Sequence, residues 1–137
     1  MSPITITTFA DLLEAARQQP DPQRLLFVFA GATLPEAASA EQRARFEAGE
    51  SGELAPLMCV DKDPATLDGF NTLAAEADGF DQPWRLVFAA GLAGGAGQAP
   101  DEAAVGQALQ RMVESVRTGD IERFIAFDRQ GQAVQLS

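Results

Sequence analysis

Hydrophobic positions along the chain follow two rhythms, and their alternation sets out the expected elements. Residues 25–30 (LLFVFA), 57–60 (LMCV) and 86–90 (LVFAA) are apolar on both faces, as strands covered above and below are. Residues 121–127 read the same way. Between these runs the period lengthens to about 3.6. Thr8-Phe9-Ala10-Asp11 matches a capping box, and Phe9, Leu12, Leu13 and Ala16 then form one stripe that stops before Pro20-Asp21-Pro22. Pro64 suits a first helical turn, Leu67, Phe70, Leu73, Ala74 and Ala77 supply a core face, and Gly79 closes that helix. A third helix starts at Asp101, repeats through Val105, Leu109, Met112 and Val116, and ends at Gly119.

The stretch from 84 to 112 organises the rest: a buried strand, a bend with glycines at 91, 94, 95 and 97, then an amphipathic helix. Strands alternating with helices in this way predict one α/β domain over residues 1–137. Its sheet should be mainly parallel, of four or five strands, with helices on both faces. A mixed α+β sheet is the rival reading. Asp128-Arg129-Gln130-Gly131 reads as a turn, and 133–136 alternates with Val134 and Leu136 inward, so a C-terminal β-hairpin should add one antiparallel edge. Residues 31–56 carry the weakest pattern and read as a surface or mobile segment, with one short polar helix over 39–49.

Composition narrows the chemistry. With a net charge of −10, the chain is a poor match for nucleic acid or anionic membranes. No apolar run approaches the ~20 residues that span a bilayer, and no basic-then-apolar leader stands at the N-terminus. A single cysteine, Cys59, fits a reduced, cytoplasmic setting. The acidity is uneven: residues 34–81 hold eleven acids against Arg43, Arg45 and Lys62, a balance of −8. That cluster reads as a solvated face or as a docking surface for a basic partner.

There is no histidine and no tyrosine, so Ser-His-Asp and Cys-His nucleophile systems and His-ligated metal sites are excluded. No metal or cofactor is expected. Lys62, the one lysine, lies three residues after Cys59 at the expected carboxyl end of a strand, where open parallel sheets bind ligands. On that layout four places converge: 31–33, Asp61-Lys62-Asp63, the 91–97 bend, and Asp128-Arg129. Lys62 would clamp an anion, or act as an amine nucleophile if desolvated. Asp61 would orient it, and Gly94, Gly95 and Gly97 would donate backbone N–H groups. The bend fits no nucleotide fingerprint, since Gln98-Ala99-Pro100 stands where a Walker lysine would follow, and Asp101 and Glu102 repel phosphate.

Taken together, FADLLEAARQQPDPQRLLFVFAGATLP, LMCVDKD, WRLVFAA and LQRMVESVRTGDIERFIAFDRQGQAV make nearly the whole chain resemble a family of short bacterial proteins. Its members are often catalogued as "ribonucleotide reductase subunit alpha". The resemblance implies a family and no reaction. Reductase chemistry needs a radical-forming cysteine and a reducing pair, and Cys59 stands alone.

Three functional expectations follow. The first is a non-catalytic module that binds a protein, a small ligand or a second copy of itself. The second is a metabolite-binding protein or enzyme working through a crevice at Asp61, Lys62, Gly94, Gly95 and Gly97. The third is an accessory to ribonucleotide reductase.

Overall fold

A computed structural model of the chain describes residues 6–33, 39–41, 44 and 53–134. In chain order the elements are α1 (Phe9–Arg17), β1 (Gln23–Thr33), β2 (Glu53–Lys62), α2 (Phe70–Asp78), β3 (Leu86–Ala93), α3 (Glu102–Thr118), β4 (Ile125–Phe127) and β5 (Ala133–Val134). The five strands form one sheet in the order β2-β1-β3-β4-β5.

Every hydrogen-bonded pair in that sheet is antiparallel, which overturns the expectation of a mainly parallel sheet. A two-faced apolar run reports that a strand is covered above and below, and it says nothing about direction. Both coverings are present. Leu25, Phe27, Phe29, Val87, Ala89 and Phe127 point to one face, where Phe9, Leu12 and Leu13 of α1 and Leu73 and Ala77 of α2 close over them. Leu26, Val28, Ala30, Phe88 and Ala126 point to the other face, against Val105, Met112 and Val116 of α3. The crossover through α2 does join two strands of equal direction, β2 and β3, but β1 lies between them and runs the other way.

The helix signals hold where local chemistry fixes them. Thr8 accepts from Asp11 N–H while the Asp11 carboxylate accepts from Thr8 N–H, completing the capping box of α1. Asp101 caps α3, and Gly119 ends it in the left-handed region at φ 84°. The second helix starts later than its sequence suggests. Residues 64–66 form a turn, in which the Asp63 carboxylate accepts from Ala65 N–H at 2.9 Å, and α2 begins only at Phe70.

Other boundaries also move. β1 runs on through Thr33 and β2 starts at Glu53, so 31–33 and 53–56 are strand and not loop. The short helix expected over 39–49 falls mostly outside the described residues, as does Leu136. The strand expected over 121–127 is confined to Ile125–Phe127, because Phe124 N–H donates back to the Ile121 carbonyl in a turn. The C-terminal hairpin is present, with β4 paired to β5.

Candidate functional site

Strand direction decides what the chain can bring together. Leu25 pairs with Lys62 on one side and with Gly91 on the other, so the ends of β2 and β3 lie at one end of the sheet, about 10 Å apart across β1. The ends of β1 and β4, with Gly31 and with Asp128-Arg129, lie at the opposite end. The four-way convergence expected of a parallel sheet therefore separates into two pairs.

Within the Lys62 pair, the candidate residues divide again. Neighbouring residues on a strand point to opposite faces. Lys62 points to the α2 face, where its Nζ lies 2.6 Å from Glu76 Oε2. Asp61 points to the α3 face, where Arg24 Nε donates to its Oδ2 at 2.6 Å. There Asp61 and Arg24 edge a recess of about 590 Å³ with Pro100, Val105 and Leu109. Asp61 does not orient Lys62.

The glycine bend is a turn. Gly95 and Gln98 exchange backbone hydrogen bonds at 3.0 Å each way, and Ala96 and Gly97 between them sit at φ 53° and 76°. Two central residues at positive φ are the mark of a type I′ hairpin. Gly94 N–H donates to the Pro22 carbonyl at 2.9 Å, and a Cβ on Gly94 would fall 1.8 Å from the Gln98 carbonyl oxygen. The N–H groups of Gly94 and Gly95 are thus engaged by the chain itself, and the glycines serve close backbone approach. Among the described residues no cluster of three or more acids or cysteines is placed to hold a metal ion. Nor is any helix among them long and apolar enough to cross a membrane.

A different site stands at the open edge of the sheet. At the far edge Ala133 N–H donates to the Thr7 carbonyl, and Thr8 bridges Gln132, so the approach to α1 covers β5. Among the described residues the outer side of β2 pairs with nothing. Its upper half is unsuited to pairing. Pro56 has no N–H, and Leu57 is the extra residue of a bulge, since Phe29 faces Met58 while Ala30 faces Pro56. Met58, Cys59 and Val60 form the regular part. Beside them, between β2 and α2, opens a recess of about 260 Å³ lined by Phe29, Met58, Val60, Leu73, Ala77 and Phe80. Phe80, 65% accessible, is the one exposed large hydrophobic among the described residues.

The recess is firmly built. Glu76 belongs to its lining and is tied to Lys62. Behind it, Arg129 donates to both oxygens of Asp78 at 2.9 and 3.3 Å and lies 4.1 Å above the Trp84 ring, while Trp84 Nε1–H donates to Asp78 Oδ1 at 2.9 Å. The Arg129 hydrogen bond, with help from Trp84, holds the Asp78 carboxyl below its ordinary range. This group anchors the C-terminal end of α2, and with it Phe80, to the segment leading into β3 and to the β4–β5 turn.

Sequence reasoning passed over Phe80, Met58, Val60 and Glu76. Two signals were present in the chain: Pro56 in a strand marks an edge, and an aromatic just past a helix-closing glycine, next to Asp81, has no core face to join. Comparison with protein-family models, with curated proteins and with solved structures finds no match to this chain.

Proposed function

We propose that this protein is a non-catalytic binding module that docks a polypeptide segment along the edge of β2, with the recess under α2 receiving one of its apolar side chains. The observation that carries the reading is the coincidence of a regular strand edge at 58–60, unpaired among the described residues, with an apolar recess whose rim holds the exposed Phe80. Strand addition supplies main-chain hydrogen bonds for affinity, and a pocket beside the edge supplies selectivity. The volume supports a side chain as the occupant. Small-molecule sites usually enclose ~300–1,000 Å³, and this recess is smaller at about 260 Å³. Further support comes from Lys62 and Asp61, each engaged in an ion pair on its own face of the sheet.

The test is selection from an unbiased displayed library of twelve-residue peptides, followed by hydrogen exchange on the complex. Selected peptides should slow exchange at the amides of residues 58–62 and should lose binding to the Phe80→Ser variant. Protection confined to other parts of the molecule, or a selection that yields no binder, would refute docking at β2.

A further inference from the structure

Resting on the reading that β2 docks a polypeptide, we infer the chemistry of that segment: a short extended stretch in which apolar residues alternate with lysine or arginine. Three observations carry the inference. First, the usable edge is short. Below Pro56 and the bulge at Leu57 only residues 58–62 remain, which pair with about five residues over roughly 17 Å.

Second, the two sides of that edge differ in chemistry. Side chains of an added strand alternate between faces as those of β2 do. Residues opposite Met58 and Val60 face α2 and meet the apolar recess and Phe80. Residues opposite Cys59 and Asp61 face the α3 side, where the recess holds the carboxylates of Asp61 and Glu102 against the single guanidinium of Arg24, an excess of one negative charge. One face thus selects a bulky apolar side chain, and the other a cation.

Third, the surroundings are acidic. Over residues 54–81 the chain carries Asp61, Asp63, Asp68, Glu76, Asp78 and Asp81 against Lys62 alone, a balance of −5. Arg24 and Arg129 reach in from elsewhere to neutralise Asp61 and Asp78, while Asp63, at the end of β2, and Asp81, beside Phe80, have no salt bridge among the described residues. That field attracts a basic strand. It opposes a second copy of the chain, which would set this acidic edge against its own image, and it is felt within ~8 Å at physiological salt.

The experiment uses the full chain and four capped nine-residue peptides. The first alternates lysine with valine and leucine. In the second glutamine replaces each lysine, in the third glutamate does, and the fourth has the first peptide's composition with all lysines in one block. At 50 mM salt the alternating lysine peptide should bind roughly tenfold tighter than the glutamine one, and that advantage should shrink towards 500 mM. The glutamate peptide should not bind. Asp61→Asn should weaken the lysine peptide about threefold more than it weakens the glutamine peptide, the size of an exposed ion pair.

Equal binding of the lysine and glutamine peptides with protection at 58–62 would overturn the charge inference while docking at β2 stands. Equal binding of the block peptide would overturn the alternation. Sedimentation showing a dimer whose amides at 58–62 are protected without peptide would make a second copy the occupant and end the inference. If all four peptides and the unbiased library leave 58–62 unprotected, the docking reading itself falls.

Discussion

The bend after β3 offers a sharp test, because a ligand-cradling loop and a self-contained turn make opposite demands on the same glycines. Three substitutions separate them. In Gly94→Ala the new Cβ falls 1.8 Å from the Gln98 carbonyl oxygen, a backbone atom that cannot yield without opening the turn. Opening it sacrifices the two Gly95–Gln98 hydrogen bonds and loosens the one from Gly94 to Pro22. At about 1 kcal/mol each that is roughly 2–3 kcal/mol, offset by ~0.4–1 kcal/mol because alanine restricts the unfolded chain. The net loss is about 2 kcal/mol. Gly95→Ala meets nothing within 4 Å and takes only the small entropic gain. Ala96→Gly relieves a left-handed alanine, φ 53°, of ~1–2 kcal/mol and returns ~0.4–1 kcal/mol of entropy, for a net gain of ~0.5–1 kcal/mol. For a chain of 137 residues, 1 kcal/mol corresponds to about 3.5 °C in Tm. Thermal melts should therefore drop by about 7 °C for Gly94→Ala, rise by ~1.5–3.5 °C for Gly95→Ala, and rise by ~2–4 °C for Ala96→Gly. If Gly95→Ala proves as harmful as Gly94→Ala, or Ala96→Gly lowers Tm, the turn assignment is wrong and the donor-loop reading of Gly94, Gly95 and Gly97 returns.

Other expectations can be checked on the same protein. Phe80→Ser should cost only about 1–2 kcal/mol in urea unfolding, since two-thirds of the ring is already in water, and should reduce binding of an apolar fluorescent probe. Phe9→Ala should cost ~3–5 kcal/mol in the same assay, because this buried ring meets Phe27, Phe70 and Phe127 at centroid distances of 5.4–5.6 Å. Asp11 is held below its ordinary range by the Thr7 backbone N–H first and the Thr7 and Thr8 groups after it, and Asp78 by Arg129 first. The stabilisation that each gives is complete above the unfolded value near ~4 and is lost as pH falls through the lower folded value. Tm measured from pH 7 to pH 2 should therefore fall on the acid side, and Arg129→Met should flatten that fall.

The parts of the fold that were legible in the sequence are those fixed within a few residues. The capping box at Thr8–Asp11 and the Gly119 terminus use only local hydrogen bonds, and both stand where the pattern puts them. Strand direction depends on how distant segments pair, and the one signal available, apolarity on both faces of 25–30 and 86–90, is identical for parallel and antiparallel strands covered by helices. Extension of β1 to Thr33 was hidden for a related reason: Gly31, Ala32 and Thr33 are held by pairing with 53–55, which has little strand character of its own. The failure at Asp61 and Lys62 was more avoidable. Ending the strand at Val60 let both fall in a loop, where they could converge. Carrying it two residues further, as the ladder from Leu26 and Leu25 does, sends their side chains to opposite faces.

Direction also explains why an edge, and not the strand ends, is the place to look for function. In a parallel sheet every strand delivers its following loop to one rim, and a crevice there gathers side chains from many parts of the chain. Here successive neighbours deliver to alternate rims, so the loops are shared between the two, and the Gly94 and Gly95 N–H groups that reach one rim are engaged by Pro22 and Gln98. Among the described residues the outer side of β2 is the sheet backbone left without a partner strand. Native proteins guard such edges with proline, bulges, charges or covering segments, because an open one invites unwanted pairing. All four devices occur in this chain: Thr7 and Thr8 cover β5, Pro56 and the Leu57 bulge protect the upper half of β2, and Asp61 and Lys62 place charge at its lower end. Among the described residues the gap they leave, residues 58–60, lies beside the apolar recess and Phe80. An unguarded length of edge costs a protein solubility wherever it stands, and its coincidence with the recess is what a docking site requires.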